Sequence, residues 1–285
     1  MLRCLVCLVL FSILSFSAAV AQDAEPEYSL PETNAYGPTV TNPATLTNVG
    51  IPEFEIFPTY SLQDGFTSRA VSVLVKYTWD PRWMAYGYSN TISSVSGCGF
   101  TETGFGSPTL GIKYLIAPPY PGTNSAQAVS VEWGLPTGSA NAINSGMSDY
   151  NLNYYYTRWL GDVELDVNLW GSSLGIPGDT RRFQFNQSAA LAIPITKNLT
   201  YSAEIYRFGP AGPSSPTVVS TLHAVNYQVG PALNLSFAVD FGLNSTSPVR
   251  NYIFGAVFYL GNPKPRANTL SQPDPGGWPA RKAAD

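Results

Sequence analysis

Few residues in this chain could do covalent chemistry. Its single histidine, His223, argues against a multi-histidine metal site. Gly171-Ser172-Ser173-Leu174-Gly175 matches the pattern G-x-S-x-G. That pattern activates a serine only on a sharp strand-to-helix turn, with a base in hydrogen-bond reach. No helical stripe follows it here, so the segment reads as a flexible turn in an outer loop. Parity with Asn226 and Gln228 puts His223 on an outward face with Thr221 and Val225. Neighbouring outward sets offer it no serine or carboxylate. Neither an enzymatic activity nor a cofactor is expected. Cys98, in Ser96-Gly97-Cys98-Gly99, reads as an incidental small residue in a Gly-rich loop rather than a reactive thiol.

The remaining chemistry is electrostatic. Glu55, Lys76, Lys113, Glu132, Glu164, Asp166, Glu204 and Asp240 each sit within segments that alternate apolar and polar residues. Alternation with period two puts the charged set on one face of a strand and the apolar set on the other. If the apolar face meets lipid, the charges must face a lumen, because Arg or Lys at mid-depth on the lipid side costs ~2–4 kcal/mol. Six of the eight are acidic. They would bias an open pore mildly toward cations or polar neutral solutes, or they could form a salt-bridge network that plugs it. The sequence supports both equally.

Those segments dominate the chain. Val163, Leu165, Val167 and Leu169 interleave with Asp162, Glu164, Asp166 and Asn168. Leu233 to Phe241, Leu199 to Tyr206 and Val129 to Leu135 behave alike. The spacing predicts an all-β transmembrane antiparallel up-and-down barrel of about twelve strands of ~9–11 residues. The strands are placed at 52–62, 68–79, 82–91, 107–117, 126–135, 149–159, 162–170, 182–193, 198–207, 217–228, 233–243 and 250–260. Connections at Asp80-Pro81, Leu160-Gly161, Pro194 to Lys197 and Val229 to Ala232 are short. On the opposite side Thr91 to Gly106, Pro136 to Ser148, Gly171 to Arg181 and Gly209 to Pro216 are long. Short turns at one end and longer loops at the other are the outer-membrane pattern, with both termini in the periplasm. Aromatics near strand ends fit two interface belts. Trp79, Trp83 and Trp159, with Tyr114, Tyr227 and Tyr259, belong to one end. Trp170 belongs to the other, with Phe183, Phe208, Phe241 and Tyr252.

Composition agrees. Of 285 residues only 12% are charged, 44% are hydrophobic and 13% aromatic, with a net charge of -4. A soluble domain carries about 25% charge. Nucleic-acid binding would demand a basic surface, so no nucleic-acid partner is expected. Disorder is disfavoured by the aromatics. Residues 1–21 read as a signal peptide: Arg3, an apolar run from Cys4 to Ser15, and Ala19-Val20-Ala21 as the cleavage site. Its removal leaves Cys98 alone, so no internal disulfide forms. Residues 22–50 form a polar arm, either periplasmic or folded into the lumen. Residues 51–260 form the barrel. Residues 261–285 form a Pro-rich tail expected to be disordered.

Gly106-Ser107-Pro108-Thr109-Leu110-Gly111-Ile112-Lys113-Tyr114 resembles the GD-x-x-LG-x-KY strand of the outer-membrane transporters in the MetA-pathway of phenol degradation family. Val131 to Gly138, Trp159 to Leu165, Ile195 to Leu199, Ala203 to Tyr206, and Asn226-Tyr227 with Leu235 to Gly242 are similar in order and spacing. The similarity covers roughly residues 50–260. Ser107 stands where the family often has Asp, and a polar tail replaces a closing aromatic residue. The resemblance implies an outer-membrane channel passing small, aromatic or hydrophobic compounds. Its partners would be outer-membrane lipids, the barrel-assembly machinery and a small-molecule solute. A non-transporting surface or structural barrel, and a secreted β-sandwich, are the alternatives.

Overall fold

A computed structural model describes residues 37–260, apart from 64, 120–122, 139–145, 177–179, 212–215 and 231. The signal peptide, the start of the arm and the C-terminal tail lie outside the described residues. The strands are β1 (Glu53–Gln63), β2 (Phe66–Asp80), β3 (Trp83–Gly97), β4 (Phe100–Gly104), β5 (Thr109–Ala117), β6 (Ser125–Gly134) and β7 (Asp149–Leu160). They continue as β8 (Val163–Ile176), β9 (Thr180–Thr196), β10 (Leu199–Phe208), β11 (Val218–Gly230), β12 (Leu233–Gly242) and β13 (Arg250–Tyr259).

Neighbours along the chain pair antiparallel, and β1 pairs with both β2 and β13, so the sheet closes on itself. Twelve strands make the closed wall. The thirteenth, β4, pairs with the far end of β3 (Ser93↔Gly104 to Gly97↔Phe100), while the near end of β3 pairs with β5. Closure leaves the wall without a sheet edge, which a barrel in lipid requires because lipid offers backbone groups no partners. The register Glu53↔Tyr259 places the start of β1 and the end of β13 at one rim. That rim also carries the short turns between β2 and β3, β7 and β8, β9 and β10, and β11 and β12; it is called the turn rim below, and the opposite one the loop rim. Gly161, at φ 62°, makes the β7–β8 turn in the left-handed region that glycine adopts without strain.

Exposure inverts the usual globular pattern. Leu152 is 62% exposed, Val131 58% and Phe254 55%. The polar neighbours of the first two, Asn153 and Ser130, are buried, as is Asp240 on β12. Apolar side chains therefore cover the outside and polar ones line the inside, as the period-two pattern dictates.

Two stretches expected as loops are strand. β3 runs to Gly97 and turns through Cys98 into β4, inside the expected Thr91–Gly106 loop. Its sequence there is a run of Ser and Thr, which lacks the apolar alternation that announces a strand. Likewise β8 continues to Ile176 and β9 begins at Thr180, inside the expected Gly171–Arg181 loop. The Gly-Ser-Ser run is held by ladders on both sides, Leu152↔Gly171 and Gly171↔Phe185 among them. A Cβ on Gly171 would lie 2.9 Å from the Phe183 ring, so the bare backbone there lets an aromatic side chain pack over it.

Residues 37–50 are not part of the wall. They run inside it. Ala44 and Leu46 are buried against Leu74, Met84, Tyr86, Leu115, Tyr155 and Trp159. Val40 packs on a second inner cluster of Tyr206, Leu222, Ala224 and Ala238. The inner face of the barrel is thus partly apolar where this segment lies.

Candidate functional site

The inner face of the barrel gathers the charged side chains. Lys76 forms ion pairs with both Glu53 and Glu55, and all three are fully buried. β1 supplies the two acids at i and i+2, which the pleat points the same way, and β2 brings Lys76 directly opposite Glu53. Glu55 Oε2 also accepts a hydrogen bond of 3.0 Å from Gly37 N.

The other charges hold residues 37–50 in place. Glu204, on β10, accepts from the amides of Val40 (2.9 Å) and Thr41 (2.5 Å) and from the Thr41 hydroxyl. Asn168, on β8, clasps Asn42 from both sides: its Oδ1 accepts from Asn42 N (2.6 Å) and its Nδ2 donates to Asn42 O (2.8 Å). On β7, Thr157 Oγ1 accepts from Ala44 N (2.7 Å) and donates to Asp166. Lys113 Nζ, on β5, donates to Pro43 O (2.6 Å) and stands 4.0 Å from the centre of the Tyr155 ring. The Thr47 and Thr78 hydroxyls share a 2.8 Å bond, and Gly50 N donates to Thr78 O on β2. In chain order the segment meets β1, crosses to β10, then follows the wall through β8, β7 and β5 to β2. A Pro/Thr/Asn-rich stretch cannot pair as a strand throughout. Its peptide groups are satisfied instead by side chains projecting from the wall.

Three charges lie apart from this clasp. Glu132 accepts from Tyr86 OH (2.6 Å), Tyr88 OH (3.2 Å) and Asn151 Nδ2 (2.9 Å). Glu164 accepts from Trp159 Nε1 (2.8 Å). Asp240 Oδ2 accepts from Tyr206 OH (2.7 Å) and Asn251 Nδ2. Sequence reasoning missed Glu53, Thr78, Thr157 and Asn168. Glu53 carried a signal, being an acid two residues before Glu55, and so did Asn168, which continues the alternating polar set of Asp162, Glu164 and Asp166.

The four expected interface tryptophans divide. Trp79 and Trp83 are 47% and 41% exposed, stacked at 6.4 Å on the outside of the turn rim, with Tyr114 4.6 Å from Trp83. Trp159 is 6% exposed and points inward with Tyr155 and Thr157. Trp170 shares the inner face of Asp166 and Asn168, its ring 5.6 Å from that of Phe208. These two are not interface residues. Closeness to a strand end suggested them, but parity along β7 and β8 turns them in. Phe208 and Tyr259 point inward for the same reason.

His223 lies on the outer face, 2.6 Å through Nδ1 from Tyr201 OH. Ser173 is on the outer face of β8, three strands over and eight residues beyond Leu165, the residue level with His223, so it lies roughly 30 Å away. Among the described residues no cluster of His, Cys, Asp and Glu could hold a metal. Cys98 is exposed at the tip of the β3–β4 hairpin.

This fold recurs in known structures. The COG4313 outer membrane channel from Pseudomonas putida F1 superposes with a TM-score of 0.60 at 14% identity, over 76% of this chain and 97% of that one. The NanC porin superposes with a TM-score of 0.53 at 11% identity, over 72% and 98%. At such identities the likeness is one of fold. No curated protein matches the sequence. Residues 70–260 match the family described as MetA-pathway of phenol degradation.

Proposed function

The chain belongs to the MetA-pathway of phenol degradation family, and on that premise we propose that it is an outer-membrane channel for small solutes, aromatic or hydrophobic ones among them. In this reading its own residues 37–50 set the width of the path. The observation that carries it is the clasp of that segment to β1, β10, β8, β7, β5 and β2. A lumen crossed this way admits only narrow solutes.

Along β11–β13 the inner face also carries buried polar atoms. There Asn226 Oδ1, Ser236 Oγ, Asp240 Oδ1 and Asn251 Oδ1 are buried without a hydrogen-bond partner. Buried polar atoms of this kind require water or a solute. Inward aromatic rings, Tyr88 and Trp170, offer stacking faces along the wall. Both termini lie on the periplasmic side, and the protein is exported by the signal peptide and inserted by the barrel-assembly machinery.

Single-channel recording tests this. The full mature chain should give small conductance steps, blocked transiently by a hydroxylated aromatic solute and not by a sugar of similar size. Deleting residues 37–47 should enlarge the steps several-fold. Absence of conductance from both proteins would favour the second reading, a structural barrel whose occupied lumen passes nothing.

A further inference from the structure

Asp240, on the inner face of β12, is a carboxylate shut away from water, 1% exposed. Tyr206 OH and Asn251 Nδ2 both donate to its Oδ2. Its Oδ1 has no hydrogen-bond partner among the described residues. Nor does a Lys or Arg pair with it there. Lys76 is held by Glu53 and Glu55, and Lys113 by the carbonyls of Pro43 and Thr45.

The groups around Asp240 offer more oxygen. The register sets Asn251 directly opposite on β13 and Leu222 directly opposite on β11, with Ser220 on the diagonal. Facing residues of a ladder stand ~4.5–5.5 Å apart at Cβ and diagonal ones ~7–8 Å. Tyr206, opposite Ser220 on β10, reaches across β11 to the carboxylate, so Ser220 lies beneath that bridge. Asn251 Oδ1 and Ser220 Oγ are buried and, like Asp240 Oδ1, without a hydrogen-bond partner among the described residues. Glu204, opposite Leu222 on β10, adds negative charge on the same rung. Two residues farther toward the loop rim, Gly242 and Val249 line a cavity of about 320 Å³, together with Gln63, Asn244 and Ser247.

Buried charges are paired or coordinate metal ions. Carboxylate, amide carbonyl and hydroxyl oxygens are the ligands of hard cations, whereas softer metals take imidazole or thiolate. Neither His223 nor Cys98 is on this face. The burial of Asp240 and Ser220 also demands a compact partner, an ion and not an organic ammonium. We propose that Asp240 Oδ1, Asn251 Oδ1 and Ser220 Oγ bind a hard divalent cation of the calcium class. The ion enters from the loop-rim cavity and completes its shell with water. A single carboxylate makes the site weak, with a Kd on the order of 10⁻⁴–10⁻³ M. The site goes beyond the channel reading and does not require the lumen to conduct.

Terbium(III), a luminescent stand-in for calcium, tests this on the full mature chain in detergent. Excitation of tyrosine should sensitise terbium emission, because Tyr206 touches the same carboxylate, and millimolar calcium should quench it. Calcium should also raise the thermal midpoint of the chain. Asp240→Asn should weaken terbium binding by about ten-fold and abolish the calcium shift. Asn251→Asp, which adds a second carboxylate, should tighten binding several-fold. Glu132→Gln, at another inner-face acid, should leave both readouts unchanged. Heat-modifiable migration on gels verifies that each variant is folded. Emission that calcium does not quench would overturn the proposal. So would a folded Asp240→Asn that binds as the unaltered chain does, or an equal loss in Glu132→Gln, the mark of diffuse attraction to an acidic lumen. If neither ion leaves a trace, Asp240 meets water alone and the site does not exist. Conductance measured on the same preparation separates this failure from failure of the channel reading.

Discussion

Lys76 shows how one side chain can decide the stability of its surroundings. It is fully buried between Glu53 and Glu55. Removing it leaves two like charges together, away from water. Loss of one member of a buried ion pair costs about 3–5 kcal/mol, far more than the pair contributes relative to apolar replacements. Lys76→Met should therefore lower the urea midpoint of the barrel in lipid vesicles markedly, followed by tryptophan fluorescence. Adding Glu53→Gln and Glu55→Gln to the same protein should recover most of the loss. A triple variant no more stable than Lys76→Met would show that Lys76 acts through packing instead. Lys113 is different in kind. Its ammonium serves backbone carbonyls and the Tyr155 ring, so it also positions the inner segment.

At the scale of elements, the inner segment is the piece whose attachment can be tuned. Leu46 sits 3% exposed in an apolar cluster, and burying such a side chain stabilises by about 1.5–3 kcal/mol. Leu46→Asp would place an unpaired charge among Leu74, Leu115 and Tyr155. The segment should leave the lumen while the wall ladder stays intact. Conductance should then approach that of the 37–47 deletion, with gel migration of the folded form unchanged. Conductance equal to the unaltered chain would mean that the polar clasp alone holds the segment. The strands themselves needed only their alternation to be recognised. β8 was legible from Val163 to Leu169. Its extension through Gly171 to Ile176 was not, because small residues carry no period and only pairing with β7 and β9 defines them as strand.

The described molecule is a closed ladder with the start of β1 and the end of β13 at one rim and the β3–β4 hairpin at the other. Cys98, left-handed at φ 47° between two glycines, is exposed at the tip of that hairpin. Intact cells should be labelled at Cys98 by a membrane-impermeant thiol reagent if the loop rim faces outward. Labelling only after the outer membrane is permeabilised would reverse the orientation.

The sequence by itself determined the wall. Period-two alternation, low charge, turn spacing and family resemblance led to a twelve-strand antiparallel barrel, because side-chain parity is a local property of an extended chain. It also assigned His223 to a face without an acid or serine beside it. Only the tertiary structure decided what fills the wall. Residues 37–50 have no period of their own, and their position follows from Glu204, Asn168, Thr157 and Lys113, far along the chain. Likewise Trp159 and Trp170 resembled interface aromatics until β7 and β8 fixed their parity.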